Sequence, residues 1–466
     1  MNSTIISKIK SDKILTEILS KTDNQIYLVG GSLRDYFMNQ ESHDRDLIVT
    51  DCDAKIFSEK AAKILNATFI TLDDENKIYR LVMKDKINYL DITNPIENSL
   101  QKDLMRRDLT INAIAVNLRT EEIIDLSGGI TDIKNKCINY ILEENFTDDP
   151  LRLLRAYRFE ALLGFKLSID TINAICKYKD LIQKPATERK IYEVLRLFSG
   201  KYAHNALFDM DKTGLLEEIF PFVKELKQVP PNSHHHLNLF AHSLETVKQI
   251  HNLYENSSPV VKQHLEKVDF GGHSRLAHLK LAGFMHDIGK FSTWTIEENN
   301  RHRFIKHDDV GSKMAAKLLK DAHFSNKQID YISSMIKNHI YPSSVMAADE
   351  INNKIMMRYV RKMNDNVIDN IILAQADRLS ARGPEITDII VENNLNSLNK
   401  LLNFYLEVKD TLKPLPKLLD GNDIMQILNI KPSKKLGEVL DALHEAQLSG
   451  DILTKEQAVK FVKNHA

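Results

Sequence analysis

Ile26-Tyr27-Leu28-Val29-Gly30-Gly31-Ser32-Leu33-Arg34-Asp35, followed further along by Asp44-Arg45-Asp46, is the stretch that decides the fold. Four apolar residues that end in two glycines predict a strand whose last backbone N–H groups can approach a phosphate. Asp44 and Asp46 alternate on a second predicted strand, so both carboxylates lie on one face and can share divalent metal ions. A phosphate cradle beside a metal pair is the minimum arrangement for two-metal nucleotidyl transfer, and the pattern predicts that chemistry.

The composition is that of an ordinary globular protein with more than one domain. The 466 residues are 43% hydrophobic and 27% charged, and the net charge of −1 argues against a broad, sequence-blind grip on nucleic acid. No run of eighteen apolar residues and no signal-peptide core is present, so we expect a cytoplasmic protein with no membrane contact. The three cysteines, which are scattered along the chain, cannot form a disulfide framework or a thiolate zinc site.

Periodicity divides the chain into an α/β head and a long helical body. Strand patterns at 26–29, 44–50 and 68–72 alternate with helical patterns at 33–38 and 61–65, and a hairpin is predicted over 78–93. After about residue 148 helical periodicity dominates. The expected fold class is therefore α+β.

A second charged block, Asp103 to Ala113, follows the predicted hairpin. Its apolar residues can pack while Arg106, Arg107 and Asp108 stay available. The fork of an arginine is well suited to a triphosphate, although a solvated charged turn would have the same composition.

A third block, Thr147-Asp148-Asp149-Pro150-Leu151-Arg152, opens a predicted helix that runs past Phe159. Asp149 is a good N-cap and Pro150 a favoured first helical residue. Arginines recur every three residues at Arg152, Arg155 and Arg158. On physical grounds alone this could be a basic, solvated stripe.

Four stretches, LVGGSLRD, HDRDLIV, DLMRRDLTINAIA and TDDPLRLLRAYRF, together resemble the class II (bacterial) tRNA nucleotidyltransferases, the family of CCA-adding enzymes. The resemblance implies a polymerase-β-like nucleotidyltransferase head, an all-helical neck, an HD domain and a C-terminal tRNA-binding tail. The corresponding boundaries are 1–140, 141–205, 206–385 and 386–466.

The resemblance also implies roles for individual residues. Asp44 and Asp46 would be catalytic and hold Mg²⁺, while the 3′-hydroxyl of tRNA attacks the α-phosphate of CTP or ATP. Asp149 and Arg152 would read the Watson–Crick edge of the incoming base, since a carboxylate accepts from the amino group of C or A. The residues expected to bind the nucleotide are Gly30, Gly31, Arg34, Arg107, Asp108, Asn112, Asp149, Arg152, Arg155 and Arg158.

One departure from the family pattern concerns the number of nucleotides added. Members that add all three carry a flexible segment between the Asp-x-Asp strand and the Arg-Arg-Asp block, whereas here only Asn94 to Lys102 separate the hairpin from Asp103. In relatives, a missing loop goes with enzymes that add only CC. Addition of CC alone is therefore an alternative to full CCA addition.

The middle of the chain is rich in histidine. His242, His286-Asp287 and Asp377 resemble the HD-superfamily pattern, which binds a divalent metal; His307 and His339 occupy positions used by its phosphohydrolases. Imidazole ligands favour a divalent transition metal over Mg²⁺. A phosphohydrolase as a second or main activity is one hypothesis, and a domain kept for structure and tRNA contact is the other.

Three further expectations concern the rest of the chain. Residues 416–466 resemble the family's C-terminal module, which grips tRNA. Glu188 to Glu193 resembles the helix that orients the base-reading pair. A poly(A) polymerase would share the head but usually carries a strongly basic extension, and an RNA-binding protein with an inactive head would not need the intact Asp44, Asp46 and Arg107.

Overall fold

The computed structural model describes residues 2–299, 301–348, 351–412 and 416–465. The chain divides into two compact units, Met1–Pro221 and Phe222–Ala466. Among the helices within these described ranges, none combines the length and the apolarity that crossing a membrane requires.

The first unit is built on a seven-stranded sheet with the strand order β3-β4-β5-β2-β1-β6-β7. Strands β2 and β5 are parallel, and the other neighbouring pairs are antiparallel. The strands are β1 (Ile26–Val29), β2 (Asp44–Val49), β3 (Thr68–Asp73), β4 (Ile78–Val82), β5 (Tyr89–Thr93), β6 (Ile114–Asn117) and β7 (Ile123–Asp125).

The central strands are apolar because both faces of the sheet centre are covered. Leu28, Ile48 and Ile92 are fully buried, and Val29, Ile48, Leu104 and Ala115 form one core cluster. The polar residues of β2 stand at its N-terminal end, where the burial of that strand decreases. The sheet therefore presents Asp44 and Asp46 at the margin of its own core.

Helices flank this sheet and continue to the end of the first unit. Helix α8, which carries the predicted arginine stripe, ends at Gly164 in the left-handed conformation (φ 69°). The helices are α1 (Asn2–Ser11), α2 (Lys13–Lys21), α3 (Gly31–Phe37), α4 (Ala54–Leu65), α5 (Leu100–Met105), α6 (Gly129–Asn135), α7 (Glu144–Asp148), α8 (Leu151–Leu163), α9 (Ile169–Tyr178), α10 (Thr187–Ser199), α11 (Ala203–Lys212) and α12 (Leu215–Ile219).

Over its described residues, the second unit is helical apart from one short hairpin. The C-terminal helices α24 to α26 enclose a core of their own that includes Ile424, Leu443 and Val462. The helices are α13 (Val223–Leu226), α14 (Leu239–Glu255), α15 (Pro259–Glu266), α16 (Arg275–Met285), α17 (Lys290–Thr293), α18 (His307–Asp321), α19 (Asn326–Lys337), α20 (Tyr341–Met346), α21 (Asn353–Met363), α22 (Val367–Ser380), α23 (Asp388–Val408), α24 (Gly421–Leu428), α25 (Lys434–Leu448) and α26 (Lys455–Asn464).

The α+β class agrees with the prediction, whereas the expectation of an all-helical neck needs a small correction. Strand β8 (Cys137–Ile138) pairs in parallel with β9 (Lys166–Leu167), which lies inside the predicted neck. Strands β10 (Trp294–Ile296) and β11 (His302–Phe304) form the hairpin of the second unit. Strands of two or three residues are too short to produce a detectable alternation in the sequence.

Candidate functional site: a nucleotide cavity and a histidine–aspartate cluster

Gly30 lies between the end of β1 and the start of α3, directly beside Asp46. Its φ of 78° favours glycine, and a Cβ atom there would stand 2.6 Å from Asp46 Oδ2 and 3.1 Å from Arg107 Nη1. Antiparallel pairing opposes Val29 to Asp46, which brings the turn against the carboxylate. A side chain at residue 30 would therefore fill the space between the acidic and basic groups.

Three carboxylates meet on the neighbouring strands β2 and β5, one more than the sequence predicted. Asp44, Asp46 and Asp91 each offer an oxygen atom, and these atoms lie within 4.8 Å of one another. The parallel pairing of β2 and β5 sets Asp46 opposite Asp91. Such oxygen donors are the ligands that Mg²⁺ prefers, so the residues present fit a divalent metal.

Crowding and burial disturb the acidity of these carboxyls. Burial raises the pKa of Asp46 to about 6, with Asp44 and Asp91 raising it further and Arg107 opposing the shift. Burial and the neighbouring Asp91 also raise the pKa of Asp44. Metal binding has to displace a proton from this group in mildly acidic solution.

The pKa of Asp46 leads to a test on the metal-free protein. The carboxyl is protonated in the folded state up to pH 6 but ionised in the unfolded state above pH 4, so the free energy of unfolding falls as the pH rises between these values. Asp46→Asn has no carboxyl group to ionise. Its free energy of unfolding should therefore exceed that of wild type by about 1–3 kcal/mol at pH 7.5, with little difference near pH 4. Thermal unfolding in EDTA measures this, with Asp51→Asn as the control; equal stability of Asp46→Asn and wild type at pH 7.5 would contradict it.

The charged block from Asp103 to Ala113 holds two arginine side chains in fixed directions. The buried Asp103 accepts from Arg107 Nη2 at 3.2 Å, and Arg107 Nη1 donates to the backbone oxygen of Asn112 at 3.2 Å. The side-chain oxygen of Asn112 accepts from Arg34 Nη1 at 2.7 Å, while its amide donates to Asp108 at 3.0 Å. Asn112 therefore holds Arg34 toward the cavity.

The expectation that Asp108 stays available is wrong. Its side chain is 5% exposed and forms an ion pair with Arg155 at 2.7 Å. Burial alone would raise the pKa of Asp108. The charge of Arg155 and hydrogen bonds from Asn112 and Leu109 outweigh burial and hold this pKa below its usual range. The packing of α8 against the Arg-Arg-Asp block buries this carboxylate, which the local sequence could not indicate.

The arginine stripe of α8 is likewise held by partners. Arg158 is buried and pairs with Glu193 of α10 at 3.0 Å, and its guanidinium lies over the ring of Phe159 at 4.2 Å. Burial lowers the pKa of Arg158 to about 10, with Glu193 opposing the shift. Arg34 lies over the same ring at 5.0 Å. The stripe is thus not simply solvated.

Asp149 and Arg152 stand together at the start of α8. Asp149 Oδ1 accepts from the backbone N–H of Leu151 at 3.3 Å, in keeping with the predicted capping role, and Oδ2 accepts from Arg189 at 2.8 Å. Arg152 Nη1 donates to the backbone oxygen of Asn145 at 2.8 Å. Both side chains are therefore fixed in direction.

Most of these residues line one cavity of about 670 Å³ in the first unit, although Asp91, Arg189 and Glu193 are not among those that line it. It includes each residue predicted to bind metal or nucleotide in the head, and it adds Arg196 of α10, which the sequence analysis did not single out. Arg196 follows Arg189 and Glu193 on one face of α10, and that spacing was the available signal. The cavity is lined by Gly30, Gly31, Arg34, Asp44, Asp46, Arg107, Asp108, Asn112, Asp149, Arg152, Arg155, Arg158 and Arg196 among others.

The second unit brings together all six side chains that the HD pattern predicted. Three histidines place Nδ1 against the backbone oxygen three residues earlier: His286 on Gly283 at 2.7 Å, His307 on Phe304 at 2.8 Å, and His339 on Ile336 at 2.6 Å. His242 Nδ1 lies 3.4 Å from the backbone oxygen of Ser380. Fixing Nδ1 in this way leaves Nε2 of each ring free to bind a metal.

Asp287 lies between two pairs of these rings. Its Oδ2 is 3.5 Å from His242 Nε2 and 3.2 Å from His286 Nε2, while its Oδ1 is 3.3 Å from His307 Nε2 and 3.6 Å from His339 Nε2. Asp377 Oδ1 is 3.1 Å from His242 Nε2. These imidazole and carboxylate donors suit a divalent transition metal.

Lys290 and His235 adjoin the cluster without having been predicted there. Lys290 Nζ lies 2.6 Å from Asp287 Oδ2 and 3.3 Å from His235 Nε2. Lys290 belongs to the same His-Asp-Ile-Gly-Lys stretch as Asp287, so its position in the sequence was the signal that could have identified it.

Three family models match successive parts of the chain: "Poly A polymerase head domain" over residues 26–139, "Probable RNA and SrmB- binding site of polymerase A" over 164–227, and "HD domain" over 239–382. An A-adding tRNA nucleotidyltransferase of Deinococcus radiodurans is 27% identical, covering 94% of this chain and 95% of its own. A CC-adding tRNA nucleotidyltransferase of Thermus thermophilus is 29% identical, covering 95% and 94%.

A solved structure supports the fold. The Thermotoga maritima CCA-adding enzyme, complexed with tRNA, matches with a TM-score of 0.57 at 20% identity, covering 99% of this chain and 98% of that one. The order of the matched parts, the near full-length relatives and the shared fold confirm the resemblance seen in the motifs. The chain belongs to the class II, bacterial-type tRNA nucleotidyltransferase family.

Proposed function

We propose that this protein is a template-independent tRNA nucleotidyltransferase that adds C and A from CTP and ATP to the tRNA 3′ end. The observation that carries the proposal is that the carboxylates Asp44 and Asp46, the glycine pair, and the residues Asp149 and Arg152 line one cavity. The names of two near full-length relatives support the same substrate class.

In the proposed reaction the 3′-hydroxyl of tRNA attacks the α-phosphate and pyrophosphate leaves. Divalent ions held by Asp44 and Asp46 would lower the pKa of the attacking hydroxyl and would stabilise the negative charge on the attacking and leaving oxygens. Arg34 and Arg107, which Asn112 and Asp103 hold in place, would bind the triphosphate. Their preset direction means that little is lost in ordering them when the nucleotide arrives.

Base choice is assigned to Asp149 and Arg152. A fixed carboxylate accepts a hydrogen bond from N4 of cytosine or N6 of adenine, whereas uracil and guanine present an oxygen at that place. Arg152 would donate to ring acceptors of the same edge. Arg155 is paired with Asp108, and Arg158 is paired with Glu193. These two arginines would hold the sugar and the phosphates.

The segment between β5 and α5 bears on the number of nucleotides that are added. The segment after β5 is short and anchored: the Asn94 amide donates to the backbone oxygens of Val49 and Cys52, and its side-chain oxygen accepts from the N–H of Ala54. A 3₁₀ turn over Ile96–Asn98 then leads into α5. This short, anchored segment is the observation behind the alternative in which addition stops at CC.

One experiment tests both statements. The purified protein is incubated with tRNA that lacks its 3′ end, first with CTP alone and then with CTP and ATP, and the products are resolved at single-nucleotide length. We expect extension by two and by three nucleotides, respectively. A stop at two with both substrates would establish CC addition, and no extension by folded protein would refute the transferase function.

A phosphohydrolase at the HD cluster is a second candidate, favoured by the completeness of its ligand set. All four imidazoles are fixed through Nδ1 and converge by Nε2 on the two carboxylates. A transition metal there would polarise a phosphoester and lower the pKa of a bound water. Lys290, beside Asp287, could neutralise a phosphate oxygen.

Metal content provides a direct test of the HD cluster. Full-length protein equilibrated with Mn²⁺, Co²⁺ or Ni²⁺ and then desalted should retain metal, and Asp287→Asn should weaken retention at least about tenfold. Elemental analysis measures the metal, and hydrolysis of bis(p-nitrophenyl) phosphate measures the activity. Asp308→Asn, outside the cluster, serves as the control; equal metal content in the two variants would contradict the site.

A further inference from the structure

Arg80 and Asp91 form a two-pronged ion pair beside the catalytic carboxylates. Arg80 Nε donates to Asp91 Oδ1 and Arg80 Nη2 donates to Asp91 Oδ2, both at 2.7 Å. The residues face each other across β4 and β5. The guanidinium therefore engages both oxygen atoms of the carboxylate that the sequence analysis did not identify.

The same carboxylate is also within reach of a metal in the head. Asp91 stands opposite Asp46 in the parallel pairing, and its oxygen lies within 4.8 Å of those of Asp44 and Asp46. Asp44 is solvent-exposed, and the Asp91 side chain is 18% exposed, so solvent and small cations can reach the three carboxylates. Asp91 can face either the guanidinium or a divalent cation.

Because both are positively charged, Arg80 and a divalent cation compete for the Asp91 carboxylate. The three carboxylates share one small volume, and the nearby cations include Arg45, Arg107 and Arg196. Arg80 contacts Asp91 directly, and its positive charge also acts on Asp44 and Asp46. A divalent ion entering the group is repelled by Arg80 and finds both Asp91 oxygens already hydrogen-bonded. The ring of Tyr89 lies 5.3 Å from the Arg80 guanidinium and can hold that guanidinium by a cation–π contact when it leaves Asp91.

We propose that Arg80 is a built-in counter-cation that competes with the divalent metal for Asp91 and thereby sets the metal affinity of the head. The inference rests on the proposed function, because it assumes that Asp44 and Asp46 hold the metal. It assigns Arg80 as a positioning residue, since it acts on the metal through Asp91. The ion pair keeps the three carboxylates together while no metal is bound and yields when one arrives.

The test measures binding of Mn²⁺ alone to the full-length protein by electron paramagnetic resonance, without nucleotide. Titration of Asp46→Asn gives the binding that does not belong to the head, and it is subtracted from every curve. Arg80→Gln should tighten the head site about tenfold and Asp91→Asn should weaken it about tenfold. The double variant should bind Mn²⁺ only slightly more tightly than Asp91→Asn, because the longer-range repulsion by Arg80 is all that its removal relieves once Asp91 has lost its charge.

Two further variants guard the interpretation. Arg80→Lys keeps the charge without the fork, and should tighten binding less than Arg80→Gln. Lys77→Gln removes a positive charge just before β4 whose partner is Asp53, and should leave the affinity unchanged. Circular dichroism establishes that each variant is folded, and Arg80→Lys retains the test if Arg80→Gln does not fold.

The outcomes separate this inference from the function on which it rests. Unchanged or weakened Mn²⁺ binding in Arg80→Gln, with Asp46→Asn still lower than wild type, would overturn the competition and leave the head metal site standing. Equal binding by wild type and Asp46→Asn would instead remove the metal site from the proposed function. A full tenfold tightening of the double variant relative to Asp91→Asn would show that Arg80 acts without Asp91, which also contradicts the proposal.

Discussion

Asp46→Asn is expected to lower nucleotide addition to tRNA at least about 10³-fold, the largest effect of any single change in the head. Asp46 combines three relationships that no neighbouring residue shares: it faces Gly30 across the turn, it stands opposite Asp91 in the sheet, and its pKa is raised to about 6. An amide of the same size keeps the packing but removes the negative charge that would hold the metal. The loss should therefore appear in kcat rather than in folding.

The measurement is single-turnover extension of a trimmed tRNA with CTP. Asp51→Asn is the matched control, because Asp51 lies just past β2, is exposed and does not line the cavity. Hydrolysis of bis(p-nitrophenyl) phosphate by the HD cluster should be unaffected in Asp46→Asn. Transfer by this variant within tenfold of wild type would exclude Asp46 from catalysis, and loss of both activities would contradict two separate sites.

The parts of the head that are local in the chain were predictable from sequence. The strand at 26–29, the turn at Gly30 and the alternation of Asp44 with Asp46 all follow from residues a few positions apart. Asp91 was not recognised because its nearness to Asp46 depends on the parallel pairing of β2 with β5, which no local pattern encodes. Strand register brings distant residues together, and a single sequence does not state it.

The arginine stripe illustrates the same limit for helices. The spacing of Arg152, Arg155 and Arg158 indicated one face of α8, but not that Asp108 and Glu193 would neutralise two of them. Those partners come from the Arg-Arg-Asp block and from α10. Burial between packed elements converts an apparently free charge into a buried pair, and this requires the tertiary structure.

In the HD cluster the ligands were predictable from their spacing, while the features that orient them were not. The anchoring of Nδ1 on backbone oxygens and the approach of Lys290 to Asp287 depend on how the helices of the second unit pack. The identity of a ligand is thus a property of the sequence pattern, whereas its direction is a property of the fold. The same distinction applies to Asp149, whose direction is set by Leu151 and Arg189.

Asp149→Asn is expected to abolish most of the discrimination between CTP and UTP, lowering the ratio of kcat/KM values by about 10²-fold. The carboxylate can only accept hydrogen bonds, which suits the amino group of cytosine. The amide can also donate, which suits the O4 oxygen of uracil. Because the change replaces one oxygen by nitrogen, it should alter base choice more than it alters the position of α8.

The test compares kcat/KM for the four nucleoside triphosphates with trimmed tRNA, in wild type and in Asp149→Asn. Asp148→Asn is the matched control, since it makes the same change one residue earlier on an exposed side chain that does not line the cavity. A uniform loss for all four nucleotides would make Asp149 a structural cap of α8 rather than the base-reading group. Unchanged discrimination would place base choice elsewhere in the cavity, where Arg152, Arg155 and Arg196 are among the other hydrogen-bond donors.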